Sequence, residues 1–294
     1  KLGIDVPIFA FSRSPDVVIA VSKAGGLGVL GAIGYQLDEL AEAVAHVERN
    51  VGGRPWGADV VMPAVHVGKG ENVGKVDYEQ MIPEPHRQFV NDVLARHGVP
   101  ELPAGATPTE TLIHWTRERT MPQVELVLSR KIALLANALG PPPPDVIDKA
   151  HANGVLVGAL SGSPRHALKQ VAAGVDVVIA QGTEAGGHCG DVSTFVNIPD
   201  VVDAVAGRAH VLAAGGVGSG RQMAAALALG AQGVWCGSVW LTTTDSAEPA
   251  FLKQKLLAAG SRDTVRSRAL TGKPARQLKT PWTEAWSDKK NPDP

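Results

Sequence analysis

Val175-Asp-Val-Val-Ile-Ala-Gln-Gly-Thr-Glu-Ala-Gly-Gly-His-Cys-Gly190 is the stretch that decides how this chain folds. Val175, Val177, Val178, Ile179 and Ala180 form a near-continuous apolar run, the pattern of a parallel strand covered on both faces. The run stops at Gln181-Gly182, and Gly186 and Gly187 stand immediately before His188. Adjacent glycines let a backbone lie flat against something large and planar, because no Cβ intervenes. Imidazoles as a class titrate near neutrality, so a histidine delivered there can give or take a proton at physiological pH. Strand end, glycine pair and imidazole together read as the floor of an active site.

Two later stretches repeat the arrangement. His210-Val-Leu-Ala-Ala-Gly-Gly-Val-Gly-Ser-Gly220 is an apolar strand ending in Gly215-Gly216, followed by a helix from Arg221 to Leu229. Gly233-Val-Trp-Cys-Gly-Ser238 ends the strand after it. Glycines that follow consecutive strands and open onto helix N-termini offer backbone N–H groups that can cradle a phosphate.

Working outward, the chain alternates strand and helix patterns. Strands are expected at Val6–Phe11, Gly57–Met62, Ile132–Asn137 and Val155–Leu160, and Ala24–Gly31 reads as a turn followed by a further strand. Helices are expected at Pro15–Lys23, Asp38–Asn50, Thr109–Ser129, Asp145–Asn153, Ser163–Ala173, Val201–Ala206 and Pro249–Ala259. With the three glycine-ended strands this makes a (β/α)8 TIM barrel, whose active site lies at the C-terminal strand ends and whose phosphate site follows strands seven and eight. The barrel is expected over residues 1–260, with a rim insertion after the third strand at about 63–110. A C-terminal extension over 261–294 is expected to be incomplete. The insertion is rich in Pro, Gly, His and charge, with one helix at about Pro85–Arg96. It reads as an excursion over the rim, or as a lid with His66 reaching inward.

Composition narrows the function. The 294 residues carry 29 acidic and 28 basic side chains, a balance that points away from nucleic acid and anionic membrane surfaces. No apolar run reaches the roughly 18 residues of a spanning helix, so no membrane role is expected. Cys189 and Cys236 end different strands and lack metal spacing; a reducing cytoplasm and no metal are expected.

Three segments carry a resemblance. Ala24-Gly-Gly-Leu-Gly-Val-Leu-Gly31, Ala180-Gln-Gly-Thr-Glu-Ala-Gly-Gly-His-Cys-Gly190 and Ala213-Ala-Gly-Gly-Val217 resemble the nitronate monooxygenases, once called 2-nitropropane dioxygenases. Ser267-Arg-Ala-Leu-Thr-Gly-Lys-Pro-Ala-Arg276 is similar to a late segment of that family. The resemblance implies an FMN-dependent barrel enzyme. It implies His188 as the active-site histidine, and Gln181 and Gly186, with Gly187, as positions that approach the flavin. Gly215, Gly216, Gly237 and Ser238 match the phosphate cradle, with Trp235 and Cys236 alongside. Asp59 aligns where the family usually has Asn, exchanging an amide donor for an acceptor-only carboxylate if it is ionised. Phe11-Ser-Arg13 replaces the family's Ala-Pro-Met.

The activity implied is oxidation of a nitronate by FMN in one-electron steps, followed by reaction with oxygen to a carbonyl compound and nitrite. The partners expected are thus a small-molecule nitronate and oxygen, with His188 binding the anion or abstracting a proton from a neutral nitroalkane. Two alternatives stand beside it. The Glu-Ala-Gly-Gly-His motif is shared with FMN-dependent enoyl-acyl-carrier reductases, which allows an NAD(P)H-dependent reductase of enoyl thioesters or quinones. Asp59 and the altered first strand allow a flavin-binding barrel without turnover.

Overall fold

A computed structural model describes residues 2–62, 82–100 and 117–293. His66, His114 and Trp115, the lid reading and the start of the helix expected at Thr109 lie outside the described residues. The chain divides into two compact units, one of residues 1–64 and 115–258, the other of 65–114 and 259–294.

The first unit is a closed barrel of eight parallel strands. In chain order its elements are β1 (Ile8–Ser12), α1 (Pro15–Lys23), β2 (Leu27–Gly31), α2 (Leu37–Asn50) and β3 (Trp56–Asp59). After α3 (Glu84–Arg96), which belongs to the second unit, come α4 (Arg117–Leu128), β4 (Leu134–Asn137), α5 (Pro144–Ala152), β5 (Leu156–Ser161) and α6 (Pro164–Ala172). Then follow β6 (Val177–Gln181), α7 (Thr194–Val205), β7 (His210–Ala214), α8 (Gly220–Ala228), β8 (Gly233–Cys236) and α9 (Ala250–Ala258). The ring closes where β1 pairs with β8, Phe9 opposite Trp235.

Successive strand residues point to opposite faces, and the barrel sorts them into two populations. Phe9, Leu27, Val29, Leu134, Val177, Ile179, Leu212 and Trp235 form a cluster drawn from strands, the barrel interior. Their alternates, such as Leu30, Ala58, Leu135 and Val157, pack with Val18, Val44 and Val124 of the helices. On the other side Val178, Ala213 and Val234 pack with Ile198 and Val201 of α7. Two-sided burial is why the strands read as apolar runs rather than as alternations.

Two elements differ from the sequence expectation. β3 ends at Asp59, short of Met62, because Asn137 takes over from the ladder there. Its Oδ1 accepts the Met62 N–H and its Nδ2 donates to the Met62 carbonyl, both at 2.9 Å. The helix after β6 begins at Thr194 rather than Val201, with Pro199 inside it. The proline forfeits one internal hydrogen bond. Glu184 anchors the earlier start: its Oε2 accepts from the amide and the hydroxyl of Thr194, at 2.7 and 2.6 Å.

The second unit joins the described part of the insertion to the C-terminal segment. β9 (Thr264–Ser267) and β10 (Ala275–Leu278) form an antiparallel ladder, followed by α10 (Pro281–Ala285). Trp286 meets Phe89 of α3 edge-on at 4.5 Å, and Trp282 at 5.7 Å. Trp282 Nε1 donates to the Ala269 carbonyl at 2.8 Å. Among the described residues no helix is long and apolar enough to cross a membrane.

Candidate active site

The C-terminal ends of β6, β7 and β8 carry the glycine loops, and the fold packs these loops on one another. The Gly182 amide donates to the carbonyl of Ala214, the last residue of β7, at 3.0 Å. A Cβ on Gly215 would stand 2.7 Å from Thr194 Oγ1 and 3.1 Å from the Ala185 amide. A Cβ on Gly216 would stand 3.1 Å from that of Glu184. Gly215 and Gly216 also have φ of 105° and 72°, a region that L side chains rarely adopt. Gly186 lies on the hydroxyl of Ser238, so the β6 and β8 loops touch where side chains would exclude each other. These glycines are required by the protein's own packing. Space is found elsewhere on the same rim: among the described residues a Cβ on Gly187 or Gly220 would meet nothing within 4 Å, and on Gly237 only Phe11, at 3.9 Å.

His188 follows Gly187 in a two-residue extended segment and is exposed. Cys189, next in line, is buried, its thiol 3.5 Å from the Thr183 carbonyl. Gln181 ends β6, and its carbonyl accepts from Asn197 Nδ2 at 3.1 Å.

The β8 residues diverge. Trp235 points into the barrel and stacks on Phe9 and Phe11, with ring centroids 6.4 and 6.3 Å away. Cys236 points the other way, among the outer cluster with α7. Burial pushes its thiol up to about 11, which leaves it protonated and a poor nucleophile. Its carbonyl accepts from Trp240 Nε1 at 2.8 Å, and Ser238 opens the short 3-10 turn that runs to Thr242.

Asp59 is the last residue of β3, paired in register with Gly31 on one side and Ala136 on the other. Its alternate Ala58 lies in the outer cluster, so Asp59 faces inward. It is 3% exposed, and its side chain bonds to none of the described residues. Burial pushes the carboxyl from 3.8 up to about 7. Arg13, just beyond β1, lays its side chain over the end of β2, its Cγ 3.5 Å from where a Cβ on Gly31 would be. Tyr35 Oη donates to the Arg13 carbonyl at 2.5 Å. Burial raises the Tyr35 phenol, an effect that the nearby Arg13 opposes and Glu39 assists.

Glu184, Thr194 and Asn197 are parts of this site that motif reading missed. The single proton of Thr194 Oγ1 is shared between two acceptors, Glu184 Oε2 at 2.6 Å and the Gly215 carbonyl at 3.1 Å, tying the β6 loop to the β7 loop. The available signal was Ser193-Thr194 ahead of an apolar stretch, the pattern of a helix start.

Open glycine backbone at the strand ends, beside the N-terminus of α8 with its Ser219 cap, fits a phosphate-bearing planar group. A Mycobacterium tuberculosis protein carrying the name monooxygenase is 50% identical over 297 residues, spanning 100% of this chain and 78% of that relative. The structure of nitroalkane oxidase from Streptomyces ansochromogenes superposes with a TM-score of 0.78 at 26% identity, covering 97% of this chain and 80% of that one. FabK from Thermotoga maritima superposes with a TM-score of 0.72 at 28% identity, covering 96% and 74%. Residues 4–292 match the model of the nitronate monooxygenases, and the chain belongs to that family of flavin-dependent oxidoreductases.

Proposed function

We propose that this protein binds FMN at the ends of β6, β7 and β8 and oxidises alkyl nitronates with oxygen to a carbonyl compound and nitrite. The observation that carries this reading is the convergence of three glycine loops on one rim, with space among the described residues where a side chain on Gly187, Gly220 or Gly237 would stand. Gly215, Gly216, Gly237 and Ser238 hold the phosphate, and Gln181, Gly186 and Gly187 line the ring. Electron acceptance from the nitronate and return to oxygen are the chemistry FMN supplies when bound.

The chain's own part is binding and proton handling. A nitronate is an anion with charge on its oxygens, and His188 meets it with an N–H donor. Toward a neutral nitroalkane, His188 takes the proton from the carbon beside the nitro group, forming the nitronate in place. Trp235 does its work from within the barrel, filling the space below the mouth against Phe9 and Phe11.

The test is the flavin spectrum of the purified protein under anaerobic conditions. Propionate 3-nitronate should bleach it, and oxygen should restore it with release of nitrite. Bleaching by NADPH or NADH with no response to the nitronate would replace this reading with a reductase. Cofactor released by heat should co-migrate with FMN; co-migration with FAD would overturn the cofactor assignment.

A further inference from the structure

We infer that Asp59 works as a neutral carboxylic acid, donating its proton in a hydrogen bond to an acceptor on the flavin, so that its ionisation loosens the flavin. The inference rests on the flavin site proposed above. Asp59 closes β3 at the barrel mouth, faces inward, and is 97% buried without a partner among the described residues. The strands on either side bring no charge to it. β2 (Leu27–Gly31) and β4 (Leu134–Asn137) contain no titratable side chain, and the register partners are Gly31 and Ala136. On the rim beyond β1 the cation is Arg13, and its guanidinium turns along the β2–α2 loop, with Nη2 2.6 Å from where a Cβ on Gly34 would be. α1 carries Asp16 and Lys23 but packs on the outer face of the sheet, with Asp16 engaged by His46 at 2.7 Å. Gln181, the inward residue ending β6, is uncharged, and His188 lies beyond it in the exposed loop.

An ionised carboxylate at that position is a buried charge with no counterion among the described residues, which a protein interior strongly disfavours. Burial accordingly holds the proton up to about pH 7. In that form the side chain is a donor, as an amide would be; ionised, it would be an acceptor only, with no proton to offer an acceptor on the flavin. Asn at this position gives a permanent donor. Asp gives one that neutral pH can switch off.

The experiment is the affinity of the apoprotein for FMN, read by quenching of flavin fluorescence from pH 5.5 to 9, for the wild type and for Asp59→Asn. The phosphate of FMN titrates near pH 6 in both proteins, so the ratio of the two dissociation constants isolates Asp59. The ratio should be constant at low pH. It should grow against the wild type by up to about tenfold per pH unit above the transition. A ratio that stays flat while both proteins bind FMN overturns the role of Asp59 and leaves the flavin site standing. Failure of the wild type to bind FMN at any pH overturns both. A measurement on the wild type alone gives a second check: infrared difference spectra between pH 6 and 9 should show the C=O stretch of a protonated carboxylic acid disappearing. Its absence at pH 6 overturns the inference even if Asp59→Asn fails to fold.

Discussion

Replacing Asp59 by Asn should make the apoprotein more stable, and by an amount that depends on pH. The carboxyl rises from 3.8 to about 7 on folding, roughly three pKa units, through burial. Each unit is worth about 1.4 kcal/mol, so the full effect is about 4 kcal/mol. The folded value lies above the unfolded one. Stability is therefore unaffected by this group below about pH 4, falls by about 1.4 kcal/mol per unit as pH rises toward 7, and is level beyond. Asn has no proton to lose, so Asp59→Asn escapes the fall. The assay is thermal or urea unfolding of both apoproteins at pH 5, 6, 7 and 8, taking the difference at each pH so that shared titrations cancel. In melting temperature the gap should widen by roughly 5 °C between pH 5 and pH 8. A gap that does not change between pH 5 and 8 would refute the buried, unpaired carboxyl.

Other consequences follow from the same loops. His188→Asn should cost at least about 100-fold on neutral nitroalkanes, since Asn cannot take the proton, while largely sparing preformed nitronates. An equal loss on both substrates in steady-state kinetics would remove the base role and leave anion binding. Gly182→Ala would place a methyl on the amide and hydroxyl of Thr194, so unfolding should show a loss of roughly 1–3 kcal/mol or more. A neutral result would mean that the loop between β6 and α7 does not fold back on Gly182 as described. Thr194→Val keeps the shape but removes the hydroxyl bonds to Glu184 and to the Gly215 carbonyl. It should lower stability by about 1–3 kcal/mol and weaken FMN binding, measured by unfolding and by flavin fluorescence. Unchanged flavin affinity would separate that loop tie from the cofactor site.

The eight strands were legible because their signal is local. A strand buried on both faces shows itself as an apolar run, as in Val177–Ala180, and the helices show a 3.6-residue period, as in Leu40, Val44 and Val47. The glycine pairs at Gly186-Gly187 and Gly215-Gly216 marked the mouth of the barrel for the same reason, since they fall where those runs end. What each glycine is for was decided by tertiary structure. Gly186 makes room for Ser238 and Gly215 for Thr194, partners 52 and 21 positions away in the chain. The start of α7 was hidden because its anchor, the Glu184 carboxylate, lies ten positions earlier and meets the Thr194 amide only once the loop after β6 has folded back on itself. Asp59 is the sharpest case. In the sequence it is a carboxylate standing where an amide is usual; only closure of the barrel around it removes water from its side chain. Burial of that kind is a property of every strand at once, and no stretch of residues carries it alone.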